Sequence, residues 1–147
     1  MKHEGTYVYL NTVRQEMDGD ATAIFSGPGE LAIGPAPEFG GRPESLNPEE
    51  LFVAAINGCL LMTLFYFLQR SKIEIELYEA DAEGQVQKDG DGLRFVEVAV
   101  HATVTVKDPS VAEKICDLAG LAEKHCLVSR SVSCPVQYHI SVEISEE

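Results

Sequence analysis

Basic residues are scarce in this chain: Lys and Arg number 11 of 147 residues against 24 Asp and Glu, a formal net charge of −13. A phosphate backbone or an anionic membrane surface would repel such a protein, so neither nucleic acid nor membrane is an expected partner. The four cysteines, Cys59, Cys116, Cys126 and Cys134, contain no C-x-x-C pair, and His3, His101, His125 and His139 form no spaced ligand motif. Those absences argue against a zinc knuckle, a dense secreted disulfide framework and a structural metal. The N-terminus lacks the apolar core of a signal peptide, which makes a reducing, cytoplasmic location the expectation. Internal repeats and low-complexity tracts are absent as well. What is present is enough chain, residues 1–147, for a single domain that buries about two-thirds of its unfolded surface.

From Tyr7 to Arg14 the residues favour β structure, and Asp18-Gly19 and Gly27-Pro28-Gly29 punctuate three short runs ending near Ile33, the pattern of a hairpin meander. Gly34 to Leu46 holds too much Gly and Pro for a regular element and reads as one long ordered loop. A helix starts at Asn47-Pro48-Glu49-Glu50: Asn47 can cap, Pro48 fits the first helical position, and the two acids suit the positive end of the dipole. Its body from Leu51 to Leu68, LFVAAINGCLLMTLFYFL, is apolar on every face, and the helix runs to about Ser71. That length just reaches what a bilayer requires, but Asn57 and Gly58 interrupt it near the midpoint and β-rich sequence flanks it, which favours burial in protein. Covering such a helix on all sides takes more than one sheet face, and a second copy of the chain is the cheapest supplier of that surface. A homodimer is therefore expected.

Beyond the helix, Ile73 to Val86 alternates, Asp89-Gly90-Asp91-Gly92 turns the chain, and Leu93 to Val106 returns as a second long strand. His101 falls in register with Phe95, Glu97 and Thr103, opposite the Val96, Val98, Val100, Val104 stripe, so a wet face is expected for it, and likewise for His139. Asp108-Pro109-Ser110 opens a second helix whose Ile115, Ala119, Ala122 and Cys126 form one stripe, and Val136, Tyr138, Ile140, Val142 and Ile144 mark a closing strand. This order predicts an α+β fold, mainly antiparallel sheets around a long central buried helix.

Free cysteine is usually inert packing, so chemistry requires a further sign. Cys59 has one. It follows Gly58, which costs about 1 kcal/mol inside a helix, and Asn57, a polar group in an apolar run. Close approach of another backbone or a pocket over the thiol would account for the pair. Apolar burial raises a thiol pKa, so a reactive Cys59 needs a nearby cation, and the helix dipole fades within the first turn, too soon to serve. Arg42 in the long loop and Arg14 at the end of the first strand are the candidates, since a guanidinium stays charged when desolvated.

The stretch Asn47-Pro48-Glu49-Glu50-Leu51-Phe52, followed by Asn57-Gly58-Cys59, resembles the central helix signature of the OsmC/Ohr family of hydroperoxide reductases, and the remaining elements come in that family's order. The resemblance implies an intertwined homodimer of OsmC-like fold with active sites at the interface. In it Cys59 is the peroxidatic cysteine, a second cysteine resolves it, and Glu49 orients an active-site arginine. The resolving segment matches His125-Cys126-Leu127-Val128-Ser129-Arg130, although Leu127 stands where the family often has proline. Cys126 is favoured because it ends a helix on its buried stripe; Cys134, in Cys134-Pro135-Val136, is the rival. One branch of the family places its arginine where this chain has Glu38, which leaves Arg42 as the counterpart and Arg14 as its rival.

Glu49 and Cys59 stand about 15 Å apart along a straight helix and not on one face, so if both serve one site they come from different chains. The chemistry implied is attack of the Cys59 thiolate on a peroxide, a sulfenic acid, and a disulfide with Cys126. No bound cofactor is required, and an external dithiol, for this family a lipoylated protein, is the expected reductant. An apolar pocket lined by residues such as Phe52, Leu60 and Phe65 would make organic hydroperoxides the substrates. Two other readings compete: a different cysteine enzyme with His125 as its base, and a non-enzymatic dimeric stress or ligand-binding protein with structural cysteines.

Overall fold

The computed structural model describes residues 2–3, 5–17, 20–27 and 29–146, so the Asp18-Gly19 turn, and Pro28 of the second expected turn, lie outside the described residues. The chain gathers into two compact units, Met1–Phe52 and Val53–Glu147.

In the first unit β1 (Lys2–His3) pairs antiparallel with β2 (Thr6–Tyr7), and β3 (Asn11–Arg14), β4 (Ala21–Phe25) and β5 (Glu30–Ile33) form the expected antiparallel meander. The Gly/Pro loop is ordered by its own backbone. The Gly34 N–H reaches the Leu46 carbonyl at 2.8 Å to close it, and a short 3-10 turn occupies Pro37–Phe39. Gly41 tolerates no side chain, since a Cβ there would lie 1.7 Å from the Pro35 carbonyl oxygen. The loop then delivers Asn47, which is buried, to the head of α1 (Pro48–Arg70). Its Oδ1 accepts the Glu50 N–H at 2.8 Å, and its Nδ2 donates to Glu50 Oε1 at 3.2 Å, a reciprocal cap.

The second unit is a three-stranded sheet with helices on one face. β6 (Leu77–Asp89) and β7 (Gly92–Val106) form a long hairpin, with Gly90 at φ +64° in the turn. The closing strand, β8 (Val136–Ile144), lies parallel to β7, because α2 (Ala112–His125) provides a crossover rather than a hairpin return. Val98, Val100, Ala102, Val104 and Val106 make the buried face of β7. Leu64 and Leu68 of α1 and Ile115, Leu118, Ala119 and Ala122 of α2 pack with Val104 and Val106 in one buried cluster, and Ile56 and Leu60 continue the buried stripe of α1. His101 and His139 face solvent as expected, and their rings stack at 4.6 Å between centroids.

Three features differ from the sequence pattern. The α1 helix is not covered all round within one chain: Met62, Phe65 and Tyr66 are 63%, 42% and 53% exposed, since a single sheet face can take only one stripe of a helix. β6 begins at Leu77, not Ile73, because the helix end consumes the intervening residues. Lys72 adopts φ +56°, its N–H reaching Gln69 O at 3.1 Å and Ile73 N–H reaching Leu68 O at 3.0 Å, a Schellman closure that turns Ile73 onto the core. Finally, Gln85 pairs with Glu97 but Val86 with Phe95, so Val96 is an extra residue in β7. That bulge moves Phe95 off the wet face of His101. Its ring lies over Gly84, where a Cβ would meet Phe95 at 2.7 Å and Val53 of α1 at 2.8 Å, which is why a glycine interrupts β6.

Candidate active site

Cys59 sits midway along α1, beside Leu60 of the buried stripe, and is itself half-buried. Thr63, one turn on, donates its hydroxyl to the Cys59 carbonyl at 2.7 Å and stands 3.9 Å from the Cys59 Sγ. Cys126 caps the end of α2 with extended backbone (φ −66°, ψ 113°) and is fully buried. Thereafter the chain folds back on itself. The Arg130 N–H bonds the Cys126 carbonyl at 3.0 Å, the Ser131 N–H bonds the Val128 carbonyl at 3.0 Å, and the Ser129 hydroxyl donates to the Cys126 carbonyl at 3.3 Å. This turn leaves the Leu127 and Val128 N–H groups directed at the Cys59 sulfur, with the Cys126 thiol also in hydrogen-bonding contact with it.

The two thiols are driven in opposite directions. At Cys59 burial works to raise the pKa, but the Val128 N–H, the Cys126 thiol, the Thr63 hydroxyl and the Leu127 N–H together outweigh it, and the thiol falls below its ordinary value. At Cys126 burial pushes the thiol up, and the neighbouring Cys59 reinforces this, against a partial offset from Ser129. Of the two thiols, Cys59 is thereby the readier to lose its proton and Cys126 the readier to keep it. The sequence suggested that only a cation could hold a buried thiolate. Within the second unit the groups that do so are all uncharged, and backbone amides, invisible as a residue type, are two of them.

The other expected site residues fall as follows. Asn57 donates to the Ala80 carbonyl of β6 at 3.4 Å, so its polarity serves packing of the helix on the sheet. A Cβ built at Gly58 meets nothing within 4 Å among the described residues, which leaves open space on that side of the helix. Leu60, expected to line a pocket, is instead fully buried on the sheet-facing stripe, while Phe65 packs edge-on against Tyr78 at 6.1 Å. Cys134 is buried just before β8, and Cys116 is exposed on α2. The His125 ring leans on Phe67 at 5.9 Å.

In the first unit Arg42 pairs with Asp20 at 3.1 Å, both side chains well exposed, and Arg14 borders an open cavity of about 630 Å³ that it shares with Glu16, Asp20 and Glu30. Glu49 lies in the first turn of α1, and its Oε1 is shut from water with no hydrogen-bond partner among the described residues.

Residues 41–141 match the OsmC-like protein family. The chain belongs to the OsmC-like family. An uncharacterised protein of Methanocaldococcus jannaschii is 27% identical over 104 residues, which cover 71% of this chain; the chain spans only about half, 53%, of that relative's length. Among solved structures, an OsmC-like protein of unknown function from Vibrio cholerae superposes with a TM-score of 0.81 at 19% identity, covering 92% of this chain and 100% of its own. An organic hydroperoxide resistance protein from Elizabethkingia anophelis gives 0.74 at 21% identity, covering 99% and 100%. At such identities the structural likeness establishes the OsmC-like fold, and the family's association with hydroperoxide resistance is carried by the names of some of its members.

Proposed function

We propose that this OsmC-like protein is a thiol-dependent peroxidase that reduces organic hydroperoxides. The observation that carries the reading is the Cys59 sulfur, lowered in pKa by four hydrogen-bonding groups and in contact with a second thiol. The Cys59 thiolate attacks the distal oxygen of ROOH, the O–O bond breaks, and the alkoxide takes a proton to leave as ROH, giving Cys59–SOH. Cys126 then loses its proton and attacks that sulfur, a disulfide forms, and the hydroxyl leaves as water. An external dithiol returns the pair to thiols, and no bound cofactor takes part.

The working unit is a homodimer. The exposed face of α1 around Met62, Phe65 and Tyr66, the open space at Gly58 and the orphaned Glu49 carboxylate oxygen all suit a second copy. In the dimer Glu49 and Arg42 complete the site, with Arg14 as the alternative guanidinium, adding charge to the hydrogen bonds that already hold the thiolate. Peroxide consumption with a dithiol donor tests the reading: the wild type turns over, and Cys59→Ser abolishes turnover. Undiminished turnover in Cys59→Ser sinks the proposal.

A further inference from the structure

The two sulfurs differ in how they can be reached. Any peroxide that Cys59 reduces must reach this half-buried residue, whereas Cys126 is fully buried and is followed by a turn whose Arg130 N–H and Ser129 hydroxyl bond back to its carbonyl. Thiol–disulfide exchange needs the incoming thiolate on the line of the S–S bond, so a disulfide between them offers one practicable face. Leaving-group strength works against that face, because Cys59 is the better anion and exchange prefers to expel the thiol of lower pKa. A group that receives charge at Cys126 would offset this. Ser129 is in place to do so: its hydroxyl donates to the Cys126 carbonyl at 3.3 Å, one rotation from the sulfur, and its hydroxyl and N–H both act to lower the Cys126 pKa, so the hydroxyl can turn to whichever acceptor is charged.

We propose that the disulfide opens from the Cys59 side only, with Cys126 departing as the thiolate and Ser129 acting as the positioning residue that receives it. This rests on the peroxidase reading for the Cys59–Cys126 pair. The reductant thiolate bonds the Cys59 sulfur, the Cys59–Cys126 bond breaks, and its electron pair goes to Cys126, which takes a proton from the reductant's second thiol. That second thiolate then closes on its own partner sulfur, releasing oxidised reductant as a cyclic disulfide and Cys59 as a thiolate, which the Leu127 and Val128 N–H groups stabilise. Two electrons pass from dithiol to protein, and both protein thiols are restored.

The test uses the full chain oxidised with diamide, which forms the disulfide without any peroxide chemistry. One equivalent of glutathione is added, free thiols are alkylated, and peptides are mapped by mass. Glutathione on Cys59 with alkylated Cys126 is the expected result; glutathione on Cys126, or no Cys59–Cys126 disulfide after diamide, overturns the proposal. Because peroxide is never used, a chain without peroxidase activity still gives a readable map. Single-turnover reduction by dithiothreitol should slow about tenfold in Ser129→Ala, the loss of one bond to a charged group, and recover in Ser129→Thr. Wild-type rates in Ser129→Ala would also overturn it.

Discussion

At the residue scale the chemistry turns on how a sulfur in an apolar helix holds charge. Leu127 and Val128 donate backbone N–H groups to Cys59, so the identity of residue 127 matters only through its amide. Replacing Leu127 with proline deletes that donor, and Cys126 at ψ 113° already has the extended backbone a following proline demands, so the fold should tolerate the change. Loss of that hydrogen bond to the sulfur should raise the Cys59 pKa toward its ordinary value. Iodoacetamide alkylation of Cys59 against pH reads this directly. In the wild type its midpoint should fall below the ordinary thiol value of about 8.5, and in Leu127→Pro it should move up.

The sign for stability follows from the same shift. A folded Cys59 that titrates below its unfolded value contributes stability fully present above the unfolded value and lost as pH falls through the folded one. Cys126 is shifted upward, so its contribution is present below the unfolded value and lost as pH rises, and the two oppose each other in any stability profile. Reactivity is therefore the cleaner readout. Gly58 and the helix signature drew attention to Cys59 in the sequence, but the groups around its sulfur were not legible there, because amide donors leave no trace in residue type. The path of the turn after Cys126 decides where they point.

At the element scale, the N-terminus of α1 was legible to the residue. Asn47, Pro48 and Glu50 carry capping chemistry in their side chains, and Asn47→Ala should cost about 1 kcal/mol, seen as a lowered denaturant midpoint with an unchanged m-value. The α2 stripe was equally legible, since the expected Ile115, Ala119, Ala122 and Cys126 are all buried. What the alternation could not show was the bulge at Val96, where one additional residue turns Phe95 inward, nor the Schellman end that takes Ile73 out of β6. Both depend on tertiary approach, of Val53 to Gly84 in one case and of the helix end to the core in the other. Leu64 lies at the centre of the α1–sheet contact and is fully buried; Leu64→Ala should lower stability by about 2–5 kcal/mol in chemical denaturation.

At the scale of the whole molecule, an apolar helix with one stripe on its own sheet and another side exposed calls for a partner surface. Light scattering should give twice the 16.0 kDa chain mass, and Met62→Glu should shift the population toward monomer. A net charge of −13 per copy means that association works against repulsion, so the dimer should tighten as salt screens it. In the sequence the expectation of a second copy rests on a helix apolar on every face, a pattern that carries no information on whether Arg42 or Arg14 would serve the site. The central claim is that Cys59 is the sulfur that takes oxygen from a hydroperoxide. Its most direct test is intact and peptide mass after one equivalent of cumene hydroperoxide. The wild type should become two hydrogens lighter with Cys59 joined to Cys126, and Cys126→Ser should stop one oxygen heavier at Cys59; an unchanged mass, or oxygen carried by any other residue, would contradict it.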